Sequence, residues 1–598
     1  MTLPIETTRF DALRKITADH FGRITPAEAA VLRNSAATAV GLSGVESYER
    51  PEVRAAFLHW LVTDNDAAAH IDPYGIRLYN ATVTSAFEIA FCTLPFPLTF
   101  EFCTFVERPY LKLVKLPALY LLKCNSKHGI DAAGLSTLGD VFLSDLKTNG
   151  EISFYGAQIG GNLECLGVIH RGNNNAISAD FVKVVGGVIF KGEFSGTIRL
   201  PEAQIGGDLN CIGATLTAKD DAIMADGAKI TGSIDLRERF SCSGAIRLRG
   251  AQIGGDLDCS GAILTAQGNT IDAGRAKIAG GANLRGKFSS SGPILFLESQ
   301  VGGDLDCSGA TVDVFECSRT HVDGDLIWMG IQQPSHVKLD LSGSSVARLR
   351  DDRKSWPSKG NLHLDGFVYR DLILEPSSPH LIAGKKPPPP PKLDPKNRVE
   401  WLKQQPDDEL NRPQPWMQLA KLLEETGNPD GAKWVIYEYR RQQYVGYNAP
   451  VRAVSFFYDN LEENPLWILV PIVLLWLFGF LIFWRARRMK AMAPTEGGAY
   501  DEFQKCGKAP DEYVPFNSAM YVLENVLPVV KLGQDDAWRP NPQIRPSSRF
   551  SDHPYLGWTR WLPGLNYPWL AILRWTLILL GWALALVLAA AIGGLFKS

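Results

Sequence analysis

One motif, repeated at a fixed interval, limits what this chain can fold into more than any other feature. It reads AQIGGNLEC from Ala157, AQIGGDLNC from Ala203, AQIGGDLDC from Ala251 and SQVGGDLDC from Ser299, at steps of 46, 48 and 48 residues. Weaker copies stand halfway between: KVVGGVIF from Lys183, KITGSIDL from Lys229, KIAGGANL from Lys277 and HVDGDLIW from His321. The elementary unit is therefore about 23 residues. Short apolar runs separated by Gly turns cannot bury their apolar side within one such unit, but stacking unit on unit makes a continuous core. No unit holds ten residues of 3.6 periodicity, which argues against helical repeats, and the Asn ladder and Leu spacing of leucine-rich repeats are missing. The expected fold is mainly β: a right-handed parallel β-helix solenoid over residues 73–383, with roughly a dozen coils.

The flanks read differently. Residues 1–72 carry apolar positions at helical spacing, as in PAEAAVLRNSAA and PEVRAAFLHWLVTD, with Pro26 and Pro51 where first-turn prolines are tolerated, so a helical N-terminal cap is expected. The run GKKPPPPPKLDP from Gly384 predicts a stiff linker over 384–400, because proline offers no N–H to continue a ladder. Beyond it, Trp416, Leu419, Ala420, Leu423, Ala432 and Val435 recur at helical spacing around Gly427. This predicts a helix hairpin over 401–447, similar to a single tetratricopeptide-type unit and too short for a peptide-binding groove. Residues 448–598 read as a membrane module. PLWILVPIVLLWLFGFLIFW (465–484) and WTLILLGWALALVLAAAIGGLF (575–596) are each uncharged over about one bilayer thickness. Between them VPFNSAMYVLENVLPVV (514–530) is too short and too charged to span, and suits an interfacial or re-entrant helix.

Candidate chemistry is sparse. Lys plus Arg total 61 against 64 for Asp plus Glu, a net charge of −3, which argues against a nucleic-acid partner. The ten cysteines include no CxxC pair. Cys165, Cys211, Cys259 and Cys307 recur every second coil, about 9.6 Å apart at twice the strand spacing, too far for a disulfide or shared tetrahedral ligation. The intervening coils place Leu236, Leu284 and Trp328 there, so these cysteines read as small core residues. Asp208 and Asp256 lack the third glycine of a calcium-binding nonapeptide and are expected to face solvent. GANLRGK, from Gly281, has the spacing of a phosphate-binding loop, but Phe288 stands where a Ser or Thr should bind magnesium, and no helix is expected to follow. It reads as a turn, like its counterparts ending at Phe194 and Phe240. The sequence thus nominates no catalytic, cofactor-binding or metal-binding residue and implies no cofactor.

The segments VRAAFLHWLVTD, AQIGGDLDCSGA, LHLDGFVYRDL, QPWMQLAKLLEETG and PFNSAMYVLENVLPVVKLG together resemble a family of uncharacterised bacterial membrane proteins, some labelled membrane-associated oxidoreductases. The coils are also similar to pentapeptide-repeat and bactofilin solenoids, although a 23-residue coil departs from a strict five-residue period. The oxidoreductase activity is not carried over, since no flavin, nicotinamide, haem or iron–sulfur signature is present. RARRMK after the first apolar segment would place the following loop in the cytoplasm. The charged N-terminus, which carries no secretory signal, instead favours a cytoplasmic solenoid at the inner membrane, and this is the expectation adopted. The function expected is a multi-pass, membrane-anchored scaffold with the lipid bilayer and a protein as partners. The alternative is an oxidoreductase or glycan-active enzyme with its site on an outer face of the coils.

Overall fold

The computed structural model describes residues 4–36, 51–173, 175–374, 393–443, 448, 451, 465–527, 530–543 and 567–592. The chain forms two compact units, Met1–Tyr439 and Arg440–Ser598.

The first unit is a parallel β-solenoid of about thirteen turns. Each coil is four-sided, because its short strands fall on four parallel ladders. One ladder passes through Leu209, Ile234, Leu257, Ala282 and Leu305. The next passes through Thr215, Ser241, Ile263 and Ser289. A third passes through Ile223, Ile246, Ile271 and Ile294. The fourth passes through Gln204, Lys229, Gln252, Lys277 and Gln300. Most sides are only two residues long, one pointing in and one out, so a coil of some 23 residues closes with corners to spare. The inward residues merge into one apolar core that runs without a break from Leu13 to Tyr439.

The two-coil period has a steric cause. In the stronger copies, Gly254 passes so close to the coil before it that a Cβ there would lie 2.1 Å from the Thr231 carbonyl oxygen. In the weaker copies, Gly280 leaves room for the Asp256 carboxylate, which a Cβ would meet at 2.0 Å. Asp256 Oδ1 accepts the Gly281 amide at 2.7 Å. Asp208 and Asp304 accept the amides of Ser233 and Asp325 at 2.8 Å, and Asn162 accepts that of Gly187 at 2.9 Å. Each strong copy thereby locks the weak copy above it.

Both ends of the solenoid are covered. At the start stand α1 (Pro4–Phe21), α2 (Pro26–Ala36), α3 (Ala55–Thr63) and α4 (Asn65–Ala69), which bury Leu13, Leu32, Phe57 and Leu61. The expected helical cap also supplies a strand, Glu52–Val53, paired with Thr82–Val83. At the far end stand α5 (Pro395–Leu402), α6 (Pro413–Glu425) and α7 (Pro429–Gln443). All six apolar residues that predicted the hairpin are buried there. The proline run itself, residues 384–392, and the expected solenoid end at 383 lie outside the described residues. The linker is shorter than 384–400, however, because Asp394 caps α5 by accepting the Lys396 amide, and Pro395 suits its first turn.

This second cap pairs the open edge of the last coil. Gln414 accepts the Gly366 amide at 2.9 Å and donates to the Phe367 carbonyl at 2.9 Å, and Gln418 donates to that of Tyr369 at 2.8 Å. Arg398 on α5 holds both oxygens of Asp351 at 2.8 Å, both side chains being almost wholly buried.

In the second unit, α8 (Leu469–Arg488) and α12 (Tyr567–Ile592) are long and apolar enough to cross a membrane. The second begins eight residues before the expected Trp575, taking in Arg574, whose charge is met by Asp535 at 2.5 Å. Residues 593–596 of the expected span lie outside the described residues. Between these helices come α9 (Gly497–Cys506), α10 (Ser518–Val526) and α11 (Gln534–Ala537). The helix expected over 514–530 is therefore confined to nine residues, capped by Asn517; positions 528–529 lie outside the described residues.

Replacing Asp351 by Ala would strand the Arg398 guanidinium in the core at a cost of about 3–5 kcal/mol. The expected result is a lowered denaturant midpoint for Asp351→Ala, with self-association measured by light scattering as the last coil loses its cover.

Candidate functional site

The cysteine ladder is masonry. Cys165, Cys211, Cys259 and Cys307 are fully buried and unpaired. Burial pushes the Cys165 and Cys259 thiols up, and Cys211 to about 12, so none offers a thiolate near neutrality. Asp208 and Asp256 are exposed, as expected, but their carboxylates hold backbone amides one coil above rather than standing free. Among the described residues, no group of three or more His, Cys, Asp or Glu could hold a metal ion.

The Gly281–Lys287 loop is a turn. Gly286 adopts φ +73°, Phe288 is buried, and a strand, Ser289–Ser290, follows instead of a helix. Its position is nonetheless informative, because Arg285 and Lys287 line a groove of about 1130 Å³ along one corner of the solenoid, together with Arg239, Ser241, Ile263 and Met329. Arg285 is 3.9 Å from Asp306, whereas among the described residues no ion pair engages Arg239 or Lys287. No local motif announces this groove; it exists because residues 20 to 25 positions apart stack.

One Ser–His contact also escaped sequence reasoning. Ser195 Oγ lies 3.5 Å from His170 Nδ1 but 2.7 Å from the Gly172 carbonyl oxygen and 3.0 Å from that of His170. Its proton is committed to backbone carbonyls, and burial pulls the His170 pKa below its ordinary value. The pair is a neutral core contact without a carboxylate to orient it, not a nucleophile and its base.

The most regular outward feature is the fourth ladder. Gln158, Gln204, Gln252 and Gln300 alternate with Lys183, Lys229 and Lys277 over seven successive rungs, all exposed. Among the described residues, no ion-pair partner engages the three lysines. The nearest regular carboxylates, Asp208, Asp256 and Asp304, stand at the adjoining corner and are tied to amides. A shallow groove of about 540 Å³ runs along this face from Lys229 to Asp323. The lysines repeat every two coils, about 9.6 Å apart. This arrangement can present evenly spaced donors to an extended chain; one rung beyond Gln300, the exposed His321 lies 2.5 Å from Ser345 Oγ through Nδ1 and 2.9 Å from Asp323 Oδ1 through Nε2.

Comparison of the chain with protein-family models, with curated proteins and with solved structures finds no match in any of the three.

The buried thiols make the fold alkali-sensitive. Cys211 and Cys242 are held as thiols up to about 12 in the fold, against an ordinary value of 9.0. Their contribution is complete below pH 9 and is withdrawn as the pH rises from 9 towards 12, at roughly 1.4 kcal/mol per thiol per pH unit. The denaturant midpoint should fall between pH 8 and pH 11, and Cys211→Val should reduce that fall.

Proposed function

We propose that this chain is a membrane-anchored scaffold whose solenoid presents a rigid ladder of glutamine and lysine side chains to a protein partner. The observation that carries the reading is the seven-rung face from Gln158 to Gln300, exposed, regular and, among the described residues, without ion-pair partners for its lysines. Its donors match an extended segment bearing carboxylates and free backbone carbonyls. A continuous core holds the rungs at constant spacing, so the face loses little conformational freedom on binding. The capped ends argue against assembly by end-to-end stacking of solenoids, because Gln414 and Gln418 occupy edge groups of the last coil at Gly366, Phe367 and Tyr369.

The apolar helices α8 and α12 would anchor the scaffold in the bacterial inner membrane as a multi-pass protein. The cysteines are unpaired, even Cys103 and Cys124 on adjacent rungs, which suits a solenoid on the reducing, cytoplasmic side.

Affinity capture of the full chain in mild detergent tests this reading. Native protein should retain a stoichiometric cytoplasmic partner, and the variant carrying Lys183→Glu, Lys229→Glu and Lys277→Glu should lose it while keeping the native thermal midpoint. Retention unchanged by the three substitutions would refute the assigned face. A periplasmic partner would place the solenoid on the other side, and a co-purifying chromophore would favour the enzyme.

A further inference from the structure

The helix α10 turns three polar side chains inward. Its buried residues are Ser518, Tyr521 and Asn525 together with Val522 and Val526, whereas its outward side is Ala519, Met520, Leu523 and Glu524, with Met520 48 % exposed. The inward polar groups are not fully satisfied: among the described residues, Tyr521 Oη and Asn525 Oδ1 are buried without a hydrogen-bond partner, as are Asp535 Oδ1 and Arg574 Nε. An interfacial helix in contact with water turns its polar side outward. Here the outward surface is mostly apolar and its one carboxylate, Glu524, is taken up by backbone amides, which suits hydrocarbon surroundings.

Its neighbours place it at the corresponding depth. The uncharged stretch of α8 and its preceding turn, Leu466 to Trp484, is 19 residues long, about 28 Å at 1.5 Å per residue, which just matches an apolar layer of about 30 Å. There is no slack by which its middle could rise out of the bilayer. Yet α10 rests on that middle. Trp476 Nε1 donates to the Ala519 carbonyl at 3.0 Å, and a Cβ on Gly479 would lie 2.6 Å from Val522 Cγ1. On α12, a Cβ on Gly581 would lie 2.2 Å from the Val526 carbonyl oxygen. Trp476 is eight residues inside the polar end at Trp484, and Gly581 is six inside Trp575, hence about 12 Å and 9 Å deep.

Entry and exit lie on one side. Trp538 Nε1 donates to the Val514 carbonyl at 2.8 Å, and Trp538–Pro540 pairs antiparallel with Met492–Pro494, just past the basic end of α8. Glu524 accepts the amides of Gly533, Gln534 and Asp535, which ties the returning chain to α10.

We propose that α10 is a re-entrant element immersed in the leaflet on the side of the basic end of α8, and that lipid acyl chains cover its face of Ala519, Met520 and Leu523. The proposal rests on α8 and α12 crossing a bilayer.

Site-directed spin labelling of the full chain, in a Cys506→Ser background and in phosphatidylcholine–phosphatidylglycerol vesicles, tests it. Nitroxides at Met520→Cys and Leu523→Cys are compared with Leu477→Cys on α8 and Asp501→Cys on α9. Power saturation with oxygen and with a water-soluble nickel chelate reads depth. The labels at 520 and 523 should lose nickel collisions and gain oxygen collisions, as the one at 477 does, while the label at 501 stays accessible to nickel. Nickel accessibility at 520 and 523 equal to that at 501, with 477 still shielded, would overturn the re-entrant assignment alone. Nickel accessibility at 477 as well would overturn the membrane reading and this proposal together.

Discussion

Every coil of the solenoid depends on the amides and carbonyls that the coil before it leaves unpaired. With sides of two residues, a coil's internal backbone bonds are confined to corner turns such as that from the Ala251 amide to the Leu248 carbonyl, and its ladder pairing lies along the axis, between residues 21 to 26 positions apart. The corners make this pairing specific. Where Asp256 takes the Gly281 amide, there is space for the carboxylate only because Gly280 lacks a Cβ, and the same arrangement recurs from Asp208 to Gly232 and from Asp304 to Gly324. The same lock also runs from a weak copy to the strong copy above it, where Ser233 Oγ accepts the Asp256 amide at 3.0 Å in the space that Gly255 leaves.

A structure held along its axis is vulnerable at its two ends, and both are closed by different chemistry. At the start, helices and a borrowed strand extend the core. At the finish, glutamine amides stand in for a further strand, and a buried Arg398–Asp351 pair fixes the helix that follows. Closed ends leave the long sides as the available surface. Among these sides, the glutamine–lysine ladder combines exposure, regular spacing and uncommitted charge, and this is why the functional proposal is placed there.

What the sequence revealed was set by the range of each interaction. Inward Ile253 and Leu257, the buried cysteines and the helical spacing of Trp416 to Val435 are local or periodic signals, and they predicted solenoid, core and hairpin. The role of Asp256 was hidden because its partner lies 25 residues away and the carboxylate remains exposed; alternation along the strand correctly placed it outside but could not show what it holds. The early start of α12 was hidden for a related reason, since Arg574 looks prohibitive in an apolar helix until Asp535 is brought beside it. The corner groove beside Arg285 and Lys287 is a product of stacking, so a reading that found only a turn in that loop was sound about its backbone and silent about its surroundings.

The account stands on the coil-to-coil lock, and amide hydrogen exchange at Gly281 measures it most directly. In the native chain this amide should exchange as slowly as those of the neighbouring ladder, and in Asp256→Ala it should exchange rapidly while amides several coils away keep their protection. Fast exchange in the native chain, or the same slow rate in both proteins, would contradict the claim that the corner carboxylates bind each coil to the next.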